Sequence, residues 1–227
     1  MFWCVCLSCE WWGEGRSVEG GGVVRVRQLS STLVIEGLQR EMFPRLTLDF
    51  DGSVTSTQGH AEGTAVGFNP RKKGARSYYN LFCTVAQTGQ FLDVLHRPGN
   101  VHDSNGAHEF MMENFDRVRT AFPAIRLESR MDSAFFSEET LTLMDLYGVE
   151  CTVSVPFERF PVLKQMIDSR CRWRYLDGDR FYFESDWKPK SWPAIGRASR
   201  RERVELSVVA VSLITNNNLT LTNSADR

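Results

Sequence analysis

The sequence predicts a mixed α/β domain, and three observations predict it. In "RLTLDFDGSV", Leu46, Leu48 and Phe50 alternate with Thr47, Asp49 and Asp51, the period of a strand with one apolar face. The run "YYNLFCTVAQTGQFLDVLHRPGN" holds two more alternating segments joined at Thr88-Gly89, which predicts an antiparallel hairpin. From Ala107 onward, helical and strand periods take turns. An antiparallel start followed by strand–helix alternation implies a mixed sheet.

Taken in order, residues 1–44 predict little structure. "MFWCVCLSCEWW" lacks the basic region and the cleavage site of a secretory signal. Cys4, Cys6 and Cys9 have no matching Cys or His pair at a zinc-finger distance. "GEGRSVEGGGVV" is glycine-rich without periodicity, so the chain is expected to be poorly ordered up to about Gln39. Residues 45–156 read as the core. After the first strand, a loop ends in the basic residues Arg71, Lys72, Lys73 and Arg76. The hairpin follows and stops at Pro98-Gly99. A helix capped by Asp103 or Ser104 carries Ala107, Phe110, Met111, Phe115 and Val118 along one stripe. Ile125, Leu127, Ser129 and Met131 then alternate with Arg126, Glu128, Arg130 and Asp132, a strand with Asp132 at its C-terminal end. Ser137 is the next predicted N-cap, with Glu138 and Glu139 in the first turn and Gly148 as the stop. "VECTVSVP" is a fifth strand closed by Pro156. Strand, hairpin, helix, strand, helix, strand is the order of a ribonuclease-H-like core.

Beyond Pro156 the pattern changes. Residues 157–192 read as the start of a β-rich insert, with a hairpin turn at Asp177-Gly178. Arg170, Arg172 and Arg174 alternate with Cys171, Trp173 and Tyr175, which predicts a strand with a basic face. Residues 193–227 form an atypical tail. It is first rich in arginine (Arg197, Arg200, Arg201, Arg203), then strand-like with no evident partner.

Composition narrows the function. The 227 residues carry 27 basic and 28 acidic side chains, which excludes a histone-like protein but not an enzyme with local basic clusters. No apolar run reaches the roughly 18 residues of a membrane span. Six scattered cysteines point to a reduced, cytoplasmic protein and not to a disulfide scaffold. His60, His96, His102 and His108 show no metal-binding spacing.

Asp49 and Asp51 share one strand face, and Asp132 ends another strand. Carboxylates converging at a sheet edge can hold divalent cations, and two cations about 4 Å apart can drive phosphoryl displacement. Solvated strand-end aspartates are the alternative reading of the same spacing. Between Leu46 and Pro156 the chain carries, in order, "LDFDGSV", Glu62-Gly63 with "VGFNPRKKG", "SYYNL", Thr88-Gly89, "RPGNVHDSNGAHEF", and "RMDSAFFSEE" with Tyr147-Gly148. In these motifs and their spacing the segment resembles the DDE transposases of bacterial insertion sequences.

The resemblance implies a ribonuclease-H-like fold and DNA strand cleavage and transfer with two Mg or Mn ions. Its first acid matches Asp51 and its second Asp132. Asp49 takes a supporting place at the metals, and Arg130 either an orienting or phosphate-facing one or that of a structural ion pair. The family's third acid, a Glu on a helix after the insert, has no match, since Glu202 and Glu205 stand in a different setting. The implied partner is double-stranded DNA, at transposon ends and target, contacted by Arg71, Lys72, Lys73, Arg76 and Arg130. A homodimer at the bacterial nucleoid is compatible with this. The unmatched acid and ends lead to the expectation of a truncated or frameshifted, catalytically incomplete copy that binds DNA weakly and has little or no strand-transfer activity. Two rivals stand beside this reading. One is a non-enzymatic DNA-binding remnant. The other is a haloacid-dehalogenase-like phosphatase, with Asp49 as nucleophile and Asp51 as general acid.

Overall fold

In the computed structural model of the protein, the alternation at Leu46–Phe50 becomes a single long strand, β1 (Arg45–Ser56). Leu46, Leu48 and Phe50 are buried on one face, as the period predicts. The structure describes residues 21–57, 60–67, 69, 71–102, 104–177, 180–187, 189–190, 192, 207–215 and 218–221. Cys4, Cys6, Cys9, Asp103, Gly178, Glu202, Glu205 and the arginines between 197 and 203 lie outside them. The chain divides into two compact units, Met1–Arg130 and Met131–Arg227.

The first unit opens with a helix, α1 (Gly21–Gln39), where the sequence predicted no order. Its buried residues Ser31, Ile35 and Leu38 follow a helical stripe. The stripe was masked because Val26, Leu29 and Leu33 leave apolar side chains exposed elsewhere on the helix. After β1 come β2 (Ala65–Val66), β3 (Arg76–Val85), β4 (Gln90–Leu95), α2 (Ala107–Ala121) and β5 (Arg126–Met131), the last running one residue past Arg130, where the first unit ends. The strands run in the order β2-β3-β1-β5, with β4 also paired to β3. Leaving out the two-residue β2, this is third, second, first, fourth, the order of a ribonuclease-H-like sheet. β1 and β3 are antiparallel, Leu48 opposite Val85 and Ser56 opposite Ser77. The hairpin turn falls at Gly89, whose φ of 69° suits glycine.

Phe50 packs edge-on against Phe110 and Phe115 of α2, with ring centroids 6.1 and 5.8 Å apart. The predicted stripe of α2 is buried, and Asn114 joins it. Its start differs from expectation. The N-cap is Gly106 at φ 68°, with no side-chain cap, because the chain enters through a tight left-handed turn. Ser104 sits earlier in that turn, its amide donating to His102 Nδ1 at 3.4 Å.

α1 is fixed to the sheet by a buried ion network. Arg27 donates from Nε and Nη2 to the two oxygens of Asp93 at 2.7 and 2.8 Å, and Arg117 donates to Oδ2 at 2.9 Å. The Asp93 side chain is fully buried. Burial alone would raise its carboxyl, but the hydrogen bonds and charges of Arg27 and Arg117 outweigh it and hold it below the ordinary range.

The second unit begins at Met131. The Ser154 amide, just past β6 (Glu150–Val153), donates to the Met131 carbonyl at 3.2 Å. Between them lie a short 3₁₀ turn (Ser133–Phe135) and α3 (Glu138–Tyr147). The predicted caps of α3 are both present. Ser137 Oγ accepts the Thr140 amide, and Gly148 closes the helix at φ 60°.

A helix the sequence did not announce follows, α4 (Pro161–Asp168). It is one short stretch with only Leu163 and Ile167 buried, too few positions to establish a period. Those two residues and Phe183 form a small core, lined by Val155, Phe160, Trp173 and Trp187. The insert continues as β7 (Arg174–Asp177) and β8 (Arg180–Asp186), then β9 (Ser207–Thr215) and β10 (Asn218–Leu221). These four strands make one sheet in the order β10-β9-β8-β7. The tail therefore has a partner after all: β9 pairs antiparallel with β8 from Ser207 opposite Asp186 to Leu213 opposite Arg180.

Candidate active site

Strands β1 and β5 are neighbours, and their polar faces bond in rungs. Thr47 Oγ1 donates to Glu128 Oε2 at 2.9 Å. Two residues along each strand, Arg130 Nε and Nη2 donate to Asp49 Oδ1 and Oδ2 at 2.6 and 2.5 Å. This is a bidentate, charge-assisted pair. Both side chains remain partly exposed, 52% for Arg130 and 32% for Asp49. The hydrogen bonds that it donates to Asp49 push the Arg130 guanidinium above its ordinary value despite some burial.

Asp51 is the next residue on the same face of β1, exposed and opposite Phe82 of β3 in register. Asp132 directly follows β5, where it caps the 3₁₀ turn, Oδ1 accepting the Ala134 amide at 3.0 Å. The structure thus brings Asp49 and Arg130 together with Asp51 beside them, while Asp132 belongs to the second unit.

The basic loop is held at its base by Asn69. Its Nδ2 donates to Ser56 Oγ at 2.8 Å, and its Oδ1 accepts the amides of Arg71 and Lys72 at 3.1 and 3.0 Å. Arg71, Lys72 and Lys73 are exposed. Arg76 is not a loop residue. It begins β3, and its guanidinium is bound to Thr64 Oγ1 at 2.9 Å and to the Thr64 carbonyl. The predicted basic strand is also corrected. Arg170 and Arg172 precede β7, Arg170 lies over the Phe183 ring at 4.8 Å, and Arg174 pairs with Glu184.

Sequence reasoning missed Asn69 and Arg97. The Asn-Pro step in "GFNPRKKG" was an available turn signal for Asn69. Arg97 carried no periodic signal, yet it is completely buried and organises the "RPGNVHDSNG" loop. It donates to the carbonyls of Tyr79 at 3.1 Å, Asn105 at 2.6 Å and His102 at 3.4 Å, with Tyr79's ring at 5.1 Å. Among the described residues, no group of three or more His, Cys, Asp or Glu side chains gathers as a metal site. No helix among them is long and apolar enough to cross a membrane.

A sequence profile described as transposase DDE domain group 1 matches residues 16–223. The chain belongs to this transposase family. The match extends well past Leu46–Pro156 and takes in the insert and most of the tail, which corrects the view of those ends as foreign to the family. No curated protein matches. Among solved structures, the piggyBac transposase synaptic complex with hairpin DNA shares 14% identity at a TM-score of 0.42, covering 76% of this chain and 39% of that one. The Mos1 transposase paired-end complex shares 9% at 0.36, covering 66% and 55%. The Mos1 mariner catalytic domain shares 8% at 0.32, covering 68% and 76%. This chain spans about two-fifths of the piggyBac chain's length.

Proposed function

We propose that this transposase-family chain acts on double-stranded DNA by strand cleavage and strand transfer, as part of a bacterial insertion sequence. The observation that carries the reading is the family match over residues 16–223. We assign Asp51 and Asp132 as the residues that hold Mg or Mn. Their oxygens are hard donors suited to those ions. The β1–β5 rungs Thr47–Glu128 and Asp49–Arg130 order the polar face of β1 on which Asp51 stands, which supports its part in the assignment. Asp49 is already engaged by Arg130, so we give it a positioning place and not a ligand's. Bound metal would activate the attacking oxygen and stabilise the leaving one. The chain's own part is to present one carboxylate from within β1, another just after β5, and the basic loop to backbone phosphates.

The test is labelled duplex DNA incubated with the protein and Mg or Mn, beside Asp51→Asn and Asp132→Asn. Metal-dependent nicking that falls about 100-fold or more in each variant is expected. Nicking that survives both substitutions overturns the assignment. A second reading, a DNA binder without catalysis, is favoured by the absence of a three-carboxylate group among the described residues. It predicts binding that responds to salt and not to metal.

A further inference from the structure

The Asp49–Arg130 pair differs from the other arginine contacts of the first unit. Arg27 and Arg117 face a carboxylate that is fully buried, Arg76 is tied to Thr64, Arg97 is buried among carbonyls, Arg119 donates to the Ile125 carbonyl, and Arg45 approaches Glu128 from one nitrogen at 3.9 Å without a fork. Arg130 instead makes its bidentate pair at the surface, beside the exposed Asp51. A guanidinium fork that fits two carboxylate oxygens also fits two phosphate oxygens. A partly exposed pair can exchange one for the other without unfolding a strand. In the absence of DNA, Asp49 neutralises Arg130. With DNA present, a backbone phosphate competes for the same fork.

Resting on the functional reading above, we infer that Asp49 and Arg130 form an electrostatic latch: Asp49 holds Arg130 in store, and a DNA phosphate takes its place. Asp49 then lowers DNA affinity in the free chain and makes phosphate contact at this position conditional on correct docking. Losing Asp49 should tighten binding only as long as Arg130 is present.

The experiment is duplex-DNA binding by fluorescence anisotropy across a salt series, with the full chain. The variants are Asp49→Asn, Arg130→Gln, their combination, and Asp116→Asn as a control that removes an exposed carboxylate from α2. Asp49→Asn is expected to bind about 3- to 10-fold tighter than wild type, beyond any gain in Asp116→Asn. Arg130→Gln is expected to bind more weakly and to lower the salt slope by about one. In the Arg130→Gln background, Asp49→Asn should do no more than Asp116→Asn does. A gain that persists without Arg130, or no gain beyond the control, overturns the latch while leaving the DNA-binding reading standing. Absence of DNA binding in wild type and every variant overturns both. Melting temperatures establish that each variant is folded; if Arg130→Gln is not, Arg130→Lys, which keeps the charge but loses the fork, must bind more weakly than wild type.

Discussion

Gly99 shows how much a single residue can decide. A Cβ built there would lie 2.3 Å from Ser77 Oγ and 2.6 Å from the Ser77 carbonyl. One on Gly67 would lie 1.8 Å from the Gly99 carbonyl. Two backbone segments therefore pass each other where no side chain fits. Gly99→Ala should destabilise the protein by about 1–3 kcal/mol, since backbone and not a flexible side chain must yield. A urea midpoint unchanged from wild type would show that the two segments separate freely. The basic residues divide the same way. Lys72→Ala with Lys73→Ala should leave the melting temperature unchanged and lower the salt slope of DNA binding by about two. Arg76→Ala should instead lower the melting temperature, because its guanidinium anchors Thr64. The reverse pattern would make Arg76 the DNA contact. Sequence gave no means of separating these four cations, because the difference lies in what Thr64 and Asn69 do.

At the scale of elements, α1 is held by the contact of Arg27 with buried Asp93. Asp93→Ala should cost about 3–5 kcal/mol, since two arginines lose a buried partner. The pair also sets a pH dependence. Asp93's folded pKa is depressed, so its contribution is complete above the unfolded value of about 3.9 and is lost as pH falls through the folded value. Thermal melts from pH 6 to pH 2 should show a loss below about pH 4 that Asp93→Asn reduces. A loss of equal size in that variant would assign it to other carboxylates. Legibility follows from the same physics. β1, the Gly89 hairpin, α2 and the Ser137–Gly148 helix were readable because each buries one periodic face and α3 carries both of its caps. α1 was not, because its main anchor is an ion pair reaching 66 residues along the chain. The site was readable as a set of carboxylates. That Arg130 occupies Asp49 follows from the β1–β5 register, which no single strand's pattern contains.

At the scale of the whole molecule, the family match and the second sheet change the meaning of the tail. Residues after Trp192 had seemed to have no place, yet β9 covers β8 along seven register pairs, Ser207–Asp186 to Leu213–Arg180. Local pattern could not reveal this, because the partner strand lies across an intervening segment. A chain ending at residue 206 would leave β8 as an edge, its outward amides and carbonyls facing water or another chain. Each ladder hydrogen bond contributes only about 0.5–1.5 kcal/mol, but a four-stranded sheet reduced to a lone hairpin is marginal in water. Hydrogen exchange on the shortened protein should therefore show β7 and β8 amides losing protection. The β1, β3 and β5 amides should keep theirs, because the first unit's sheet contains no tail strand. Protection of β8 unchanged by the deletion would mean that β9 contributes nothing to the insert. Loss spreading equally to β1 would mean that the two units do not fold separately.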